Sequence, residues 1–213
     1  MIPLRIEATL SRSIVLGRPI HLDGLLGHAI VTIEDLPRAS NASECVDLPI
    51  PLAEQDGVYL ASAAEYAVEE HELAWVNKRF PTEMAQQLGD ASLRSIQITA
   101  GINKSFREPL AVSHLEHDRI VWWAIGDQPK IERLLSAVAY LGGKRRFGYG
   151  EVKSWLVEPC ETWEGFPVMR DGYPLRHLPA DWPGLREDVE RAYAVVRPPY
   201  WDRGAAVLAA VPC

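Results

Sequence analysis

The sequence predicts an α+β fold in which two amphipathic helices pack on a β-sheet. Three observations carry this prediction. Apolar residues alternate with polar ones over residues 4–10, recur at helical spacing over residues 22–33, and follow a strand, helix and strand order after residue 119. A period of two is typical of a half-buried strand, and spacings of three and four residues are typical of a helix with one apolar face.

The first predicted strand covers residues 4–10, and the first predicted helix covers residues 22–33. Gly24 and Gly27 lie inside this helix, where glycine is up to about 1 kcal/mol less favourable than alanine. We therefore expect the helix backbone at these two positions to pack closely against the sheet or a ligand.

Two further strands are predicted before the second helix. Residues 46–62 resemble strand sequence, but Pro49 and Pro51 restrict the first part to an edge position because proline lacks the N–H that a sheet requires. Residues 119–125 are almost continuously apolar, which favours a central strand.

A second helix is expected after Asp127, a residue typical of helix N-caps, with Pro129 in the first turn and an apolar face that reaches Val138. Residues 152–157 then form the last strand of the sheet. In chain order the elements are strand, helix, strand, a long excursion, strand, helix, loop and strand. This is the split βαβ order of a ferredoxin-like βαββαβ fold.

We place one domain over residues 1–160, with an insertion at about residues 63–117. The insertion is too long to be a simple connection, and Ile96, Ile98 and Ala100 indicate a strand within it.

The proline-rich residues 161–213 follow the last predicted strand. We interpret them as an extension packed on the same domain, and not as a domain of their own. A helix is predicted over residues 184–195.

The composition is that of an ordinary soluble globular protein, with 24% charged and 47% apolar residues. Because no apolar run of about 18 residues and no signal peptide pattern occurs, we expect a cytoplasmic protein without a membrane contact. Cys45, Cys160 and Cys213 have neither the number nor the spacing of a disulfide framework or a zinc site. We therefore expect no metal and no cofactor.

The net charge of −7 is distributed unevenly. Residues 34–72 carry −9, whereas residues 73–107 and residues 142–150 carry +3 each. A basic patch is the usual footprint of a nucleic-acid-binding protein, and a polarised molecule can present one despite a negative total. The acidic segment then faces a protein partner, or it simply serves as a solubilising face.

Residues 141–152 read Leu-Gly-Gly-Lys-Arg-Arg-Phe-Gly-Tyr-Gly-Glu-Val, so that four glycines frame three consecutive cations. Glycine allows close backbone approach to a ligand, and exposed N–H groups beside cations bind phosphate. The alternative is a glycine cap at a helix end. A Walker loop and a dinucleotide loop are excluded, because both precede a helix whereas this loop follows one. The predicted phosphate-binding residues are Gly142, Gly143, Lys144, Arg145, Arg146, Phe147, Gly148 and Tyr149.

This pattern resembles the glycine-rich loop of the CRISPR-associated RAMP superfamily, which lies between the last helix and the last strand of a ferredoxin-like fold and contacts guide RNA. Within that superfamily the chain is similar to the Cas-five-like subunit of type IV effectors. The further stretches that carry this resemblance are His21–Ala29, Asn103–Arg107 and Pro198–Trp201. The resemblance implies that the insertion is a thumb that folds over the RNA.

A second basic group consists of Lys78, Arg79, Lys104 and Arg107, which are interleaved with Phe80 and Phe106. Cations that hold phosphates beside rings that stack on bases are typical of single-stranded RNA recognition. Both phenylalanines are equally compatible with a place in the core at the root of the insertion.

Histidines raise the question of nuclease chemistry, since some RAMP proteins cleave guide precursors by acid–base catalysis at a 2′-hydroxyl. His21 and His28 flank the first helix, and His114 and His117 are three residues apart. Neither pair has a catalytic or metal-binding motif around it. We expect His21 to donate to a phosphate or to cap the helix.

The resemblance therefore implies a subunit of a type IV CRISPR ribonucleoprotein that caps the 5′ handle of the guide RNA (crRNA), and the lack of a catalytic motif around the histidines favours a noncatalytic role. The protein partners that the resemblance implies are the Cas-seven-like backbone subunit and large or small effector subunits, and it implies an indirect contact with target DNA. The alternatives are a RAMP endoribonuclease that processes the precursor and a protein-only interaction module.

Overall fold

The computed structural model describes residues 1–37, 47–79 and 104–212, together with Glu83 and Thr99. Within these residues the chain is a mixed α/β protein with few helices and with antiparallel pairing between its strands. Phe80, Cys45 and Cys213 lie outside the described residues, as do Ile96, Ile98 and Ala100, the residues that indicate a further strand. The helices are α1 (Leu22–Ile33) and α2 (Gln128–Leu135). The strands are β1 (Ile2–Leu10), β2 (Glu54–Gln55), β3 (Val58–Tyr59), β4 (Val68–Lys78), β5 (Phe106–Leu115), β6 (Arg119–Gly126), β7 (Val152–Pro159), β8 (Met169–Arg170), β9 (Tyr173–Pro174), β10 (Leu178–Pro179), β11 (Arg191–Ala194) and β12 (Val207–Ala210).

The main sheet has the strand order β6-β1-β7, with β1 antiparallel to both neighbours. The strand predicted as central is β6, which has β1 on one side and is bordered on the other side as well. The outer side of β6 is bordered by residues 52–65, which form single bridges from Leu52 to Gly126 and from Ala61 to Ala124. The edge position predicted for the first proline-containing segment agrees with this arrangement.

The core lies between the main sheet and the two helices. The alternating residues of β1 supply fully buried side chains, and Trp122 of β6 is also fully buried, with its indole Nε1 donating to the Ile20 carbonyl at 2.9 Å. The predicted cap of α2 is confirmed, because the Asp127 side chain accepts from the Lys130 N–H at 3.3 Å. No helix in the described parts of the chain has the length and apolar character needed to span a bilayer.

The predicted insertion contains a long antiparallel hairpin, in which β4 pairs with β5 from Val68 opposite Leu115 to Lys78 opposite Phe106. Successive side chains of a strand point to opposite faces, so the hairpin has two faces. Its inner face packs on the body of the protein, while its outer face is open except at Ser113, which is buried and bridges to Ile14. The inner face holds Glu72, Ala74, Val76, Lys78, Phe106, Glu108, Leu110 and Val112. The outer face holds His71, Leu73, Trp75, Asn77, Arg107, Pro109, Ala111 and Ser113.

The C-terminal residues form strands and turns, so the prediction of a helix over residues 184–195 is wrong. Residues 191–194 form β11, which pairs with β12 and places Tyr193 opposite Leu208. Gly184 takes a positive φ of 84° in the preceding turn. Good helix formers adopt strand structure here because pairing with β12 outweighs a local preference of a few tenths of a kcal/mol per residue.

Arg176 connects this C-terminal region to the body through a fully buried guanidinium. It donates to the carbonyls of Tyr59 and Ala61 at 2.6 and 3.0 Å and to the equally buried carboxylate of Asp23 at 2.9 Å. The Tyr200 hydroxyl, 2.7 Å from the guanidinium, donates to the same carboxylate at 2.8 Å. The Arg176–Asp23 ion pair and its hydrogen bonds therefore connect the start of α1, the segment beside β6 and the C-terminal region.

Asp23→Ala should destabilise the protein by about 3–5 kcal/mol, because it leaves the Arg176 charge buried without a counter-ion. Asp188→Ala is the matched control, since it removes a 2.8 Å ion pair to Arg186 whose side chains are 52% and 58% exposed. The control should lose far less stability, because solvent screens an exposed ion pair. Urea unfolding followed by circular dichroism measures both values, and similar losses in the two variants would contradict the role given to Arg176.

Candidate nucleic-acid interface

The glycine loop is closed at its neck and packs on residues 13–15. The Leu141 N–H donates to the Gly150 carbonyl at 2.8 Å, and the N–H groups of Gly150 and Gly143 donate to Ser13 and Val15 at 2.9 and 2.8 Å. Helix α2 already ends at Leu135, before the glycine loop begins. The N–H group that follows the helix still bonds to a helix carbonyl, so the helix end is completed without a glycine. The alternative of a simple glycine cap on that helix is therefore wrong.

Gly150 shows why the loop requires glycine. It has a φ of +71°, and an added Cβ would lie 2.0 Å from the Leu141 carbonyl oxygen. A Cβ at Gly142 would lie 2.6 Å from the Val15 carbonyl oxygen. These two glycines are used for contact with the chain itself, whereas the sequence suggested contact with a ligand. Gly148 differs, because its φ is +87° and nothing lies within 4 Å of the Cβ position.

The cations of the loop are held in a short 3₁₀ turn over residues 145–147, outside the neck. Arg145 and Arg146 are exposed, and the Arg146 guanidinium lies 4.9 Å from the centre of the Phe147 ring. Among the described residues, Arg145 forms no ion pair. Lys144 is different, because its Nζ lies 3.4 Å from Glu108 on the hairpin. The two arginines are therefore better placed than Lys144 to bind an anion.

A concavity of about 320 Å³ lies beside this turn. Phe147, 42% exposed, forms part of its wall, and Arg12 lies across from the loop with a 69% exposed side chain. The Arg12 Nε is 3.3 Å from a Glu151 carboxylate oxygen. The lining residues are Arg12, Ser13, Phe147, Gly148 and Tyr149. Sequence reasoning missed Arg12, because it lies more than a hundred residues from the loop and belongs to no recognisable motif.

The second basic group is divided between the two faces of the hairpin. Phe106 lies opposite Lys78 on the inner face and is partly buried with Tyr149 of the glycine loop against Val76. This position supports the alternative that Phe106 is a packing residue. Arg107 is next in the strand and therefore lies on the outer face, with its guanidinium 4.5 Å from the centre of the Trp75 ring. Arg79 and Lys104 are exposed beside the distal end of the paired strands.

His21 lies inside the protein, and we correct the prediction that it contacts phosphate. Its side chain stacks on Tyr200 at 4.3 Å and meets His177 edge-on at 4.6 Å. Both ring nitrogens are buried and find no hydrogen-bond partner in the described parts of the chain, and the side chain does not cap α1. Burial and the nearby Arg176 charge hold the pKa of His21 well below its usual value, so the ring is neutral.

The protein has an α/β fold, and its cationic glycine-rich loop contacts the inner face of a long hairpin. The chain belongs to the family described as CRISPR type IV associated protein Csf3, whose model matches residues 2–212. It is therefore a Cas-five-like component of type IV CRISPR systems. No curated protein matches the sequence.

Gly150→Ala should destabilise the protein by about 3 kcal/mol or more, because the positive φ disfavours a side chain and the Cβ collides with a backbone oxygen. Gly148→Ala has the φ penalty alone and should cost about 1 kcal/mol. Differential scanning calorimetry of the two variants measures the difference. Equal losses would show that the contact between Gly150 and Leu141 does not constrain the loop.

Proposed function

We propose that this chain is the noncatalytic guide-RNA-binding subunit of a type IV effector. In this proposal it holds the 5′ handle of the guide and docks on the Cas-seven-like backbone subunit. Membership of the family supports a role in such a complex. The observation that carries the RNA contact is the group of exposed arginines at the glycine loop, beside a concavity with an accessible aromatic ring.

The topology supports a ferredoxin-like RAMP fold. Strand β7 lies next to β1, β1 next to β6, and β6 next to residues 52–65. Helix α1 connects β1 to that fourth segment, and α2 connects β6 to β7. This is the connection pattern expected of a βαββαβ unit, with the long hairpin inserted between the second and third strands.

The chemistry of the loop suits single-stranded RNA. Arg145 and Arg146 supply full charges for phosphate oxygens, and the Phe147 ring supplies a surface for a base. Arg12 lies across from them, paired with Glu151. Arginine is effective in this role because its planar guanidinium donates two parallel hydrogen bonds to a phosphate. The neck bonds hold the turn in one conformation, so less conformational entropy is lost when RNA binds.

A metal-independent endoribonuclease is the alternative function. Two histidine contacts lie on the hairpin, from His114 to Glu72 and from His71 to Ser113, both at 3.2 Å. Cleavage at a 2′-hydroxyl requires an acid and a base that reach the same phosphate. The strand register places His71 and His114 on opposite faces of the hairpin, which favours the noncatalytic role.

Replacement of Lys144, Arg145 and Arg146 by alanine should weaken RNA binding and flatten its salt dependence. Each phosphate contact on a single strand contributes about 0.7 to the slope of log K against log salt, so the triple variant should lose up to about 2. Most of this loss should already appear in the double variant Arg145→Ala/Arg146→Ala, because Lys144 is paired with Glu108. Fluorescence anisotropy from about 50 to 200 mM salt gives the slopes. An unchanged slope in the triple variant would remove the loop from the interface.

The purified chain should retain labelled repeat RNA uncut in EDTA. Single alanine variants of His21, His28, His114 and His117 should leave the yield of mature guide unchanged in cells that carry the full system. Denaturing gels measure cleavage, and northern blots measure the guide. Specific cleavage by the purified chain, or uncut precursor in cells with a folded histidine variant, would favour the endoribonuclease.

A further inference from the structure

The outer face of the hairpin exposes large apolar side chains. Leu73 is 62% exposed and Trp75 is 51% exposed, and Pro109 and Ala111 are exposed opposite them on β5. The inner face packs on the body and is joined to the glycine loop through Tyr149 and Lys144. Among the described residues, packing on the body does not account for the exposed strip of Leu73, Trp75, Pro109 and Ala111.

The charges on the two faces differ. The inner face carries the carboxylates of Glu72 and Glu108, whereas the outer face carries no acid between His71 and Ser113. Its charged residue is Arg107, which forms no ion pair among the described residues. Arg79 and Lys104 add two exposed cations beside its distal end. In a chain with a net charge of −7, an acid-free strip with these cations is complementary to a polyanion.

Trp75 and Arg107 form a unit with the geometry of a base-binding site. The guanidinium lies 4.5 Å from the ring centre and covers part of the ring, while half of the side chain remains open. Indole rings and guanidinium planes both stack on unpaired bases, and the remaining guanidinium N–H groups can donate to the adjacent phosphate. The same stacking fixes the orientation of Arg107, so little side-chain freedom is left to lose on binding.

We propose that the outer face of the hairpin is a second RNA contact, in which Trp75 stacks on an unpaired base and Arg107 binds the neighbouring phosphate. This inference rests on the proposed RNA-binding function and extends it to a face that the glycine loop does not reach. Trp75 belongs to no basic cluster in the sequence, and its role follows from the strand register that places it opposite Pro109 and beside Arg107.

The test compares two labelled probes of about 16 nucleotides, which are oligoadenylate and the same ribose-phosphate strand without bases. Trp75→Ala and Trp75→Leu should lower the affinity for oligoadenylate by about 5- to 150-fold, the range measured for loss of one stacked base. Trp75→Tyr should retain most of the affinity, because it keeps an aromatic ring. All three should change binding of the strand without bases far less, because Arg107 remains available to bind a phosphate. Trp201→Ala is the matched control, since Trp201 is 48% exposed and lies outside the hairpin.

Four results would overturn the inference. The first is an unchanged affinity of Trp75→Ala for oligoadenylate, and the second is an equal loss of affinity for both strands. The third is wild-type protein that binds both strands with equal affinity, and the fourth is wild-type affinity of Trp75→Leu for oligoadenylate. If Trp75→Ala impaired assembly with the backbone subunit while RNA binding stayed intact, the strip would be a protein-docking surface. Wild-type protein that binds neither strand would refute RNA binding altogether, so failure of the proposed function is distinguishable from failure at Trp75 alone.

Discussion

The buried charge of Arg176 constrains how the C-terminal region meets the body. A guanidinium without solvent costs several kcal/mol unless every N–H group finds an acceptor, and here the acceptors come from α1, from residues 59–61 and from residues 196–200. These segments satisfy the charge together in one arrangement. Because residues 59–65 also border β6, the same ion pair helps to position the edge of the main sheet, and through the sheet strand β7, which follows the glycine loop.

The cluster around Arg176 also explains two features that look functional in the sequence. Gly24 lies where a Cβ would be 3.1 Å from the Tyr200 ring, so the glycine makes room for the residue that shares the Asp23 carboxylate. His21 stacks on the other side of this cluster and stays neutral because it is buried beside a cation. Both residues lie in the N-terminal stretch that carries the family resemblance, and the structure gives both an architectural role.

The sequence predicts the elements of the main sheet well, because the alternation over residues 4–10 and the apolar run over residues 119–125 are set by burial on the sheet. It also locates the cationic loop. The C-terminal strands are missed, since β11 depends on pairing with β12 and not on its own preference. Arg12 is missed for a related reason, because only the folded chain brings it to the loop. Contacts between residues far apart in the sequence thus determine both the C-terminal strands and the position of Arg12, and local sequence patterns predict neither.

In the proposed function, the pleat of the hairpin limits how one RNA strand can follow the surface. The glycine loop lies against the inner face, whereas Trp75 and Arg107 lie on the outer face. A strand that contacts both must therefore pass around an edge or the distal end of the hairpin. Within the described residues, the distal end is where Lys78, Arg79 and Lys104 gather, while Glu69, Glu70 and Glu72 stand toward the root. Phosphates are attracted to the first group and repelled by the second, so the charge gradient along the hairpin favours a path around its distal end.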